Sequence, residues 1–339
     1  MKKALALLMT VALFACSFAA CQQNETPDPT PAQQDQNNGQ SNEQPSQPDN
    51  SAQPSGAQKE SVVWAQPSDI TSLDFHVGKN PASFAVTCNI FDTLVTWDAE
   101  NKVIPHLASE WEFVDEDSLQ LKLREGVLFH DGEELTAEDV QYTLTRAKNS
   151  TIVKNNFSWL DSVDVVDEYT VVVNTIGAYA PVLNALCNPL AGIMPKHLLE
   201  ADDEAMAKNP VGTGPFKFVE RKEGEYVKME ANESYWNGTV ASKYLEMRVV
   251  PEASQRATLL ETDEIDIAYD MLASDVERLN SGEKATVLSA PSFKVFYLTI
   301  NCNSGTAALQ DARVRQAIEY AIDKDNAYAF GDGYNDQAM

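Results

Sequence analysis

A stretch with nothing to bury constrains this chain more than any motif. Between Gln22 and Lys59 there is no Val, Ile, Leu, Met or aromatic residue; the segment is built mainly from Gln, Asn, Pro, Ser, Asp and Glu. Such a composition cannot offset the conformational entropy lost on folding. Every packed element is therefore expected from Ser61 onward, where Val62-Val63-Trp64-Ala65 opens an apolar pattern. As a flexible coil the segment would span roughly 35 Å r.m.s., enough to hold a folded body clear of a surface. Its interspersed Pro and acids weigh against Gln/Asn-driven aggregation.

What precedes this tether explains its use. Lys2 and Lys3 are followed by an apolar run from Ala4 to Phe14, then by Phe18-Ala19-Ala20-Cys21. A basic start, a short apolar core and small residues before a cleavage point make a secretory signal, and the run is short for a membrane span. Ala19-Ala20-Cys21 resembles a bacterial lipobox, which implies cleavage before Cys21 and diacylation of Cys21. Residues 1–20 are thus expected to be a lipoprotein signal peptide and 21–60 a lipidated cysteine with a disordered linker. The protein is expected on the extracytoplasmic face of the bacterial cell membrane, lipid-anchored.

The chain has 339 residues, 43% of them hydrophobic, enough for two or three units with real cores. Lys and Arg number 25 against 51 Asp and Glu, a formal charge of −26. That balance repels phosphate backbones, so nucleic-acid binding is excluded, and it keeps a solvated surface soluble and monomeric. Beyond Cys16 and Cys21, the cysteines are Cys88, Cys187 and Cys302. They show no metal spacing, and one disulfide plus a thiol or three thiols both remain open.

Strands are expected at 62–65, at Leu119-Gln120-Leu121-Lys122-Leu123 with strict alternation, at 170–173, 226–229, 264–267 and 295–300. Thr136-Ala137-Glu138-Asp139 starts a capped helix whose stripe is Val140, Leu144 and Ala147. A second helix runs from Asp311 to about Ala327, with Val314, Ile318, Ala321 and Ile322 as its buried stripe. Elements mix without a βαβα rhythm or a repeat, so a multi-lobed α/β body fits better than a barrel or solenoid.

Catalytic and cofactor signatures are missing from the pattern. His76, His106, His130 and His197 are isolated, with no HExxH spacing, and there is neither a G-x-S-x-G elbow nor a phosphate-binding lysine loop. Gly212-Thr213-Gly214-Pro215 reads as a sharp reversal rather than a phosphate cradle. Acid pairs such as Glu133-Glu134 and Asp202-Asp203 read as surface charge. The expectation is a binding protein with no enzyme activity, no cofactor and no metal.

Several stretches, in order, resemble the bacterial extracellular solute-binding proteins of family 5, the oligopeptide, dipeptide and nickel receptors of ABC importers. They are Leu73-Asp74, Phe91-Asp92-Thr93-Leu94-Val95, the block from Leu107-Ala108-Ser109-Glu110-Trp111 through Phe129-His130-Asp131-Gly132 to Leu135-Thr136-Ala137-Glu138-Asp139-Val140, Val211-Gly212-Thr213-Gly214-Pro215-Phe216, Asn232-Glu233-Ser234-Tyr235-Trp236, Arg256-Ala257, Glu264-Ile265-Asp266-Ile267 and Asp311-Ala312-Arg313-Val314.

The resemblance implies a bilobal periplasmic-binding-protein-like α/β fold (type II, class C) with an accessory subdomain. Lobe one would take 61–97 and 209–296, the accessory subdomain 98–208, and the second lobe would start at 297–339. Relatives continue well past this point, so the chain is expected to be a fragment whose second lobe is incomplete. The implied activity is capture of extracellular peptides by lobe closure and delivery to ABC permease subunits with cytoplasmic ATPases. Alternatives are a nickel chelate or another small solute, or a peptide-sensing surface receptor. Ligand-binding candidates carried by the resemblance are Ser72, Phe84, Trp159, Tyr269, Asp270 and Asn301. His130, despite its place in a specific motif, reads as part of a tight turn with Gly132 rather than as a ligand.

Overall fold

The computed structural model describes residues 59–282, 284–289, 297–303 and 306–323, so the signal peptide, Cys21 and most of the tether lie outside the described residues. Its strands are β1 (Ser61–Gln66), β2 (Val95–Trp97), β3 (Val103–Pro105), β4 (Ala108–Phe113), β5 (Ser118–Leu123), β6 (Leu160–Asp167), β7 (Thr170–Thr175), β8 (Phe216–Lys222), β9 (Tyr226–Ala231), β10 (Tyr244–Val249) and β11 (Ile267–Ala268). Its helices are α1 (Pro81–Thr87), α2 (Ala137–Asn149), α3 (Val182–Leu186), α4 (Lys196–Ala201), α5 (Ala205–Lys208), α6 (Ala253–Glu261), α7 (Ala273–Ser281), α8 (Ala307–Gln310) and α9 (Ala312–Ala321).

One sheet is local in sequence. Strands β4-β5-β7-β6 pair antiparallel throughout, with α2 laid against β6. The alternation of β5 sets its faces: Leu119, Leu121 and Leu123 are buried while Lys122 is exposed. The buried leucines join Val140, Leu144 and Ala147 of α2 in one core cluster. Each fully buried leucine contributes roughly 1.5–3 kcal/mol. The start of α2 is fixed by Asp139, whose carboxylate accepts from the Thr136 N–H at 2.9 Å and its hydroxyl at 3.0 Å.

The other large sheet draws on distant segments, in the order β11-β1-β10-β9-β8. β1 runs parallel to β10 and β11, and β9 runs antiparallel to β10 and β8. Alternation along β1 sends Val62 and Trp64 toward the main core, and Val63 and Ala65 toward a smaller cluster with Val250, Ile265 and α6 residues Leu259 and Leu260. The main core is continuous between the two sheets, running from Ile70 through Leu121 and Val173 to Met247.

The most specific motifs meet at one buried carboxylate. Asp92 Oδ2 accepts from the Thr213 hydroxyl at 3.0 Å and the Trp236 indole N–H at 2.8 Å, and Oδ1 accepts from the Tyr235 hydroxyl at 3.3 Å. His106 Nε2 stands 3.6 Å from Oδ1, and the Arg124 guanidinium lies 5.1 Å above the Trp236 ring. Three neutral donors thus satisfy a carboxylate that burial alone would penalise.

The chain bends at 213–215, in line with the expected reversal, but Gly212 and Gly214 serve a second purpose there. Neither has a positive φ; their role is close approach, since a Cβ on Gly212 would lie 2.0 Å from the Ile90 carbonyl oxygen and one on Gly214 2.7 Å from it. His130 spans the same contact, donating from Nε2 to Gly214 O at 2.9 Å and accepting the Gly212 N–H on Nδ1 at 3.3 Å. Gly132, at φ 98°, makes the turn beside it. Gly212→Ala is expected to destabilise the fold by about 1–3 kcal/mol, by forcing backbone apart from backbone. A urea midpoint unchanged from wild type would contradict this.

Three expectations are corrected. The strand expected at 264–267 is only Ile267–Ala268, because the Asp266 carboxylate accepts the Val63 N–H at 2.8 Å in place of a ladder carbonyl. The strand at 295–300 is absent from its described part, 297–300: no described strand pairs with it, and Tyr297 and Leu298 are 81% and 68% exposed. Helix α9 forms, capped by the Asp311 side chain on the Arg313 N–H, but the described helix ends at Ala321 and none of its residues is buried. Val314 and Ile318 are half-buried and Ile322 is exposed, because no described element covers that stripe. Residues 324–327 lie outside the described residues. Cys88, Cys187 and Cys302 are all free thiols.

Candidate functional site

The loop between β1 and α1 carries Ser72, and a buried ion pair holds it. Ser72 is buried, its hydroxyl accepting the Asp74 N–H at 3.0 Å. Asp74, 0% exposed, takes a two-pronged grip from Arg146 of α2, Nη2 to Oδ2 at 2.7 Å and Nη1 to Oδ1 at 3.2 Å. Arg146 Nε reaches Asp203 at 2.9 Å, and Nη1 also donates to His76 Nδ1 at 3.1 Å. The other ring nitrogen of His76 therefore carries the proton and donates to Leu190 O at 3.1 Å. Burial pushes the His76 pKa down to about 4, so the ring is neutral.

From this loop a continuous wall extends to Trp159. Gly78 packs so closely on Ser72 that a Cβ would lie 2.9 Å from the Ser72 Cβ. The next residue, Lys79, donates to Asn156 Oδ1 at 3.2 Å. The Asn156 carbonyl accepts the Trp159 indole N–H at 2.9 Å, and Trp159 stacks on Tyr179 with centroids 5.6 Å apart and planes 2° apart. Phe84 is half-buried one turn into α1, which Asn80 caps by accepting the Ser83 N–H at 2.8 Å. Ser72, Phe84 and Trp159 thus belong to neighbouring segments linked by direct contacts, although Trp159 is only 7% exposed and much of its ring packs in the core.

Tyr269 and Asp270 sit elsewhere, in the lining of a cavity of about 850 Å³ formed by β11, the start of α7 and residues 284–289. Trp64 meets Tyr269 edge-on at 6.3 Å. The Tyr269 hydroxyl is buried without a hydrogen-bond partner among the described residues, and burial pushes its phenol pKa up. Asp270 adopts the left-handed region at φ 57°. The buried Arg256 steadies it, donating to Asp270 O at 2.6 Å as well as to Val250 O and Pro251 O at 2.8 and 2.9 Å. Asn301 is exposed, its amide oxygen accepting the Asn303 N–H at 3.0 Å.

Rings, amides and an ammonium are chemical groups able to contact and hydrogen-bond a solute, and a cavity of roughly 300–1,000 Å³ suits a small ligand. Lys79 and Tyr179 were not among the sequence candidates. Among the described residues, no group of three or more His, Cys, Asp and Glu side chains is placed to hold a metal ion.

Residues 102–335 match the family model described as bacterial extracellular solute-binding proteins, family 5 Middle. The chain belongs to this family. Among curated proteins it is 31% identical over 280 residues to the glutathione-binding protein GsiB of Pectobacterium atrosepticum, covering 81% of this chain and 54% of GsiB. Among solved structures it is similar to NikZ from Campylobacter jejuni in complex with Ni(L-His), with TM-score 0.69, 29% identity, and 79% of this chain and 54% of NikZ covered. It is also similar to DppA from Helicobacter pylori in complex with peptide STSA, with TM-score 0.60, 28% identity, and 66% and 49% covered. The family 5 fold expected from the resemblance is thereby shown. The family 5 chain spans about half the length of the curated relatives it matches.

Proposed function

We infer that this chain is the substrate-binding component of an ABC importer that captures extracellular peptides by lobe closure and delivers them to permease subunits. The observation that carries the reading is the likeness, at 28–29% identity, to family 5 receptors solved with a peptide or a small chelate in place. In this reading 61–97 and 209–296 form lobe one, 98–208 the accessory subdomain and 297–339 the start of the second lobe. Ser72, Phe84 and Trp159 wall one side of the solute, and Tyr269, Asp270 and Asn301 stand at the crossing toward the second lobe. Diacylated Cys21 anchors the protein at the outer face of the cell membrane, and the tether of 21–60 lets it reorient as a monomer. Closure is a population shift set by the difference in solute affinity between open and closed forms, with no bond made or broken.

Titration calorimetry of the purified protein with a mixed peptide pool, paired with mass spectrometry of co-purified material, tests this. Saturable binding of peptides is expected. The runner-up, a nickel chelate, draws on the likeness to NikZ; binding of nickel with free histidine and not of peptides would move the assignment there. Absence of saturable binding in both titrations would overturn the receptor reading.

A further inference from the structure

Acidic residues are missing from three stretches, 75–91, 140–160 and 169–199, in a chain where Asp and Glu number 51 of 339. Burial explains only part of this: Val77, Lys79, Ile152, Lys154, Asn155 and Ile176 are exposed, and each is neutral or basic. The fold brings the three stretches together. The Ser150 hydroxyl donates to His76 O at 2.7 Å, Lys79 meets Asn156 at 3.2 Å, and Trp159 stacks on Tyr179. Their meeting place is the wall that carries Ser72 and Trp159.

On a molecule of formal charge −26 the field repels anions over most of the surface. Where a cation of these stretches has no acid against it, an anion approaches at least cost. Lys79 is exposed and, among the described residues, has Asn156 rather than an acid as its partner. Other lysines of the same stretches differ: Lys196 is paired with Glu138 at 2.8 Å and Lys148 with Asp161 at 3.8 Å. Lys79 occupies the amide oxygen of Asn156, and the Asn156 NH2 has no acceptor among the described residues. An ammonium and an amide NH2 side by side form a two-donor seat for a carboxylate.

Resting on the solute-receptor reading above, we propose that Lys79 is a specificity-determining residue that receives a carboxylate of the bound solute, with Asn156 as second donor. The solute class is then peptides presenting a free carboxylate to this wall, in preference to amidated or purely cationic ones.

The test uses tetra-alanine with a free C-terminus and its C-terminal amide, titrated into wild type, Lys79→Met and Lys79→Arg. Wild type is expected to bind the free acid about tenfold more tightly than the amide, a preference that weakens at high salt. Lys79→Met should bring the acid down to the affinity of the amide and leave the amide unchanged, while Lys79→Arg keeps most of the preference. Because Lys79 is exposed, melting temperatures should match across the three proteins, separating lost recognition from lost folding. A preference that survives Lys79→Met, or equal binding of acid and amide by wild type, overturns the assignment while the receptor reading stands. If neither form binds wild type saturably, the peptide-receptor reading fails and this assignment falls with it.

Discussion

Arg146→Met is expected to lower the unfolding free energy by about 3–5 kcal/mol, because it leaves a buried carboxylate without its counter-charge. Asp74 is fully buried, and the Arg146 side chain that grips it is 14% exposed. Methionine fills much of the arginine stem's volume, so the loss falls on electrostatics rather than packing. Asp203→Asn is the control: that carboxylate touches the same guanidinium at 2.9 Å but is 77% exposed, and its loss should cost less than about 1 kcal/mol. Combining Arg146→Met with Asp74→Leu removes both charges and should recover a large part of the deficit, as replacement of whole buried pairs often does. Urea unfolding of the four proteins decides it. If Asp203→Asn were as damaging as Arg146→Met, or the double variant no better than the single, the buried pair would not be what fastens the Ser72 loop to α2.

How much of this was legible in the sequence depended on range. Strand β5 was readable because three alternating leucines admit one face, and α2 because each step along its cap and stripe is four residues or fewer. The Asp74–Arg146 pair was not, since 72 residues separate partners that neither spacing nor periodicity connects. The same holds for Asp92, whose donors Thr213 and Trp236 lie 121 and 144 residues away. The Gly212 motif was recognised as a turn, but the Ile90 carbonyl that crowds it, in the turn after α1, was not legible. The stripe of α9 shows the converse: periodicity predicts an apolar face, and only a covering element buries it. Ser72, Phe84 and Trp159 entered through resemblance alone. Lys79 and Tyr179 were missed although the signal was present, since the acid-free stretches stand in the bare sequence and only the fold shows that they meet.

Acid is expected to destabilise this protein well above the range where carboxylates titrate, through two histidines. Burial pushes both His76 and His130 from the ordinary 6.5 down to about 4. Each is held neutral by its geometry: His76 accepts from Arg146 and donates to Leu190 O, and His130 accepts from the Gly212 N–H and donates to Gly214 O. With folded pKa values below the unfolded one, the unfolded chain takes up protons first. Their contribution to stability is therefore intact above about pH 6.5 and is lost as pH falls toward 4. Each histidine accounts for up to about 3 kcal/mol over that window, with a slope of roughly 1.4 kcal/mol per pH unit where only the unfolded state is protonated. Urea unfolding in steps from neutral pH to pH 4.5 should show the sum of the two, roughly 2.8 kcal/mol per pH unit, and His76→Gln, which keeps a donor for Leu190 O, should remove about half of it. A flat profile over that range would mean that the folded protein accepts the protons. For His76 the contacts oppose that: the group facing Nδ1 at 3.1 Å is the Arg146 guanidinium, and the nearest anion, Asp74, is already gripped by the same arginine. Protonation would set cation against cation beneath the loop that carries Ser72 and Lys79, so the ring stays neutral until the pH approaches 4.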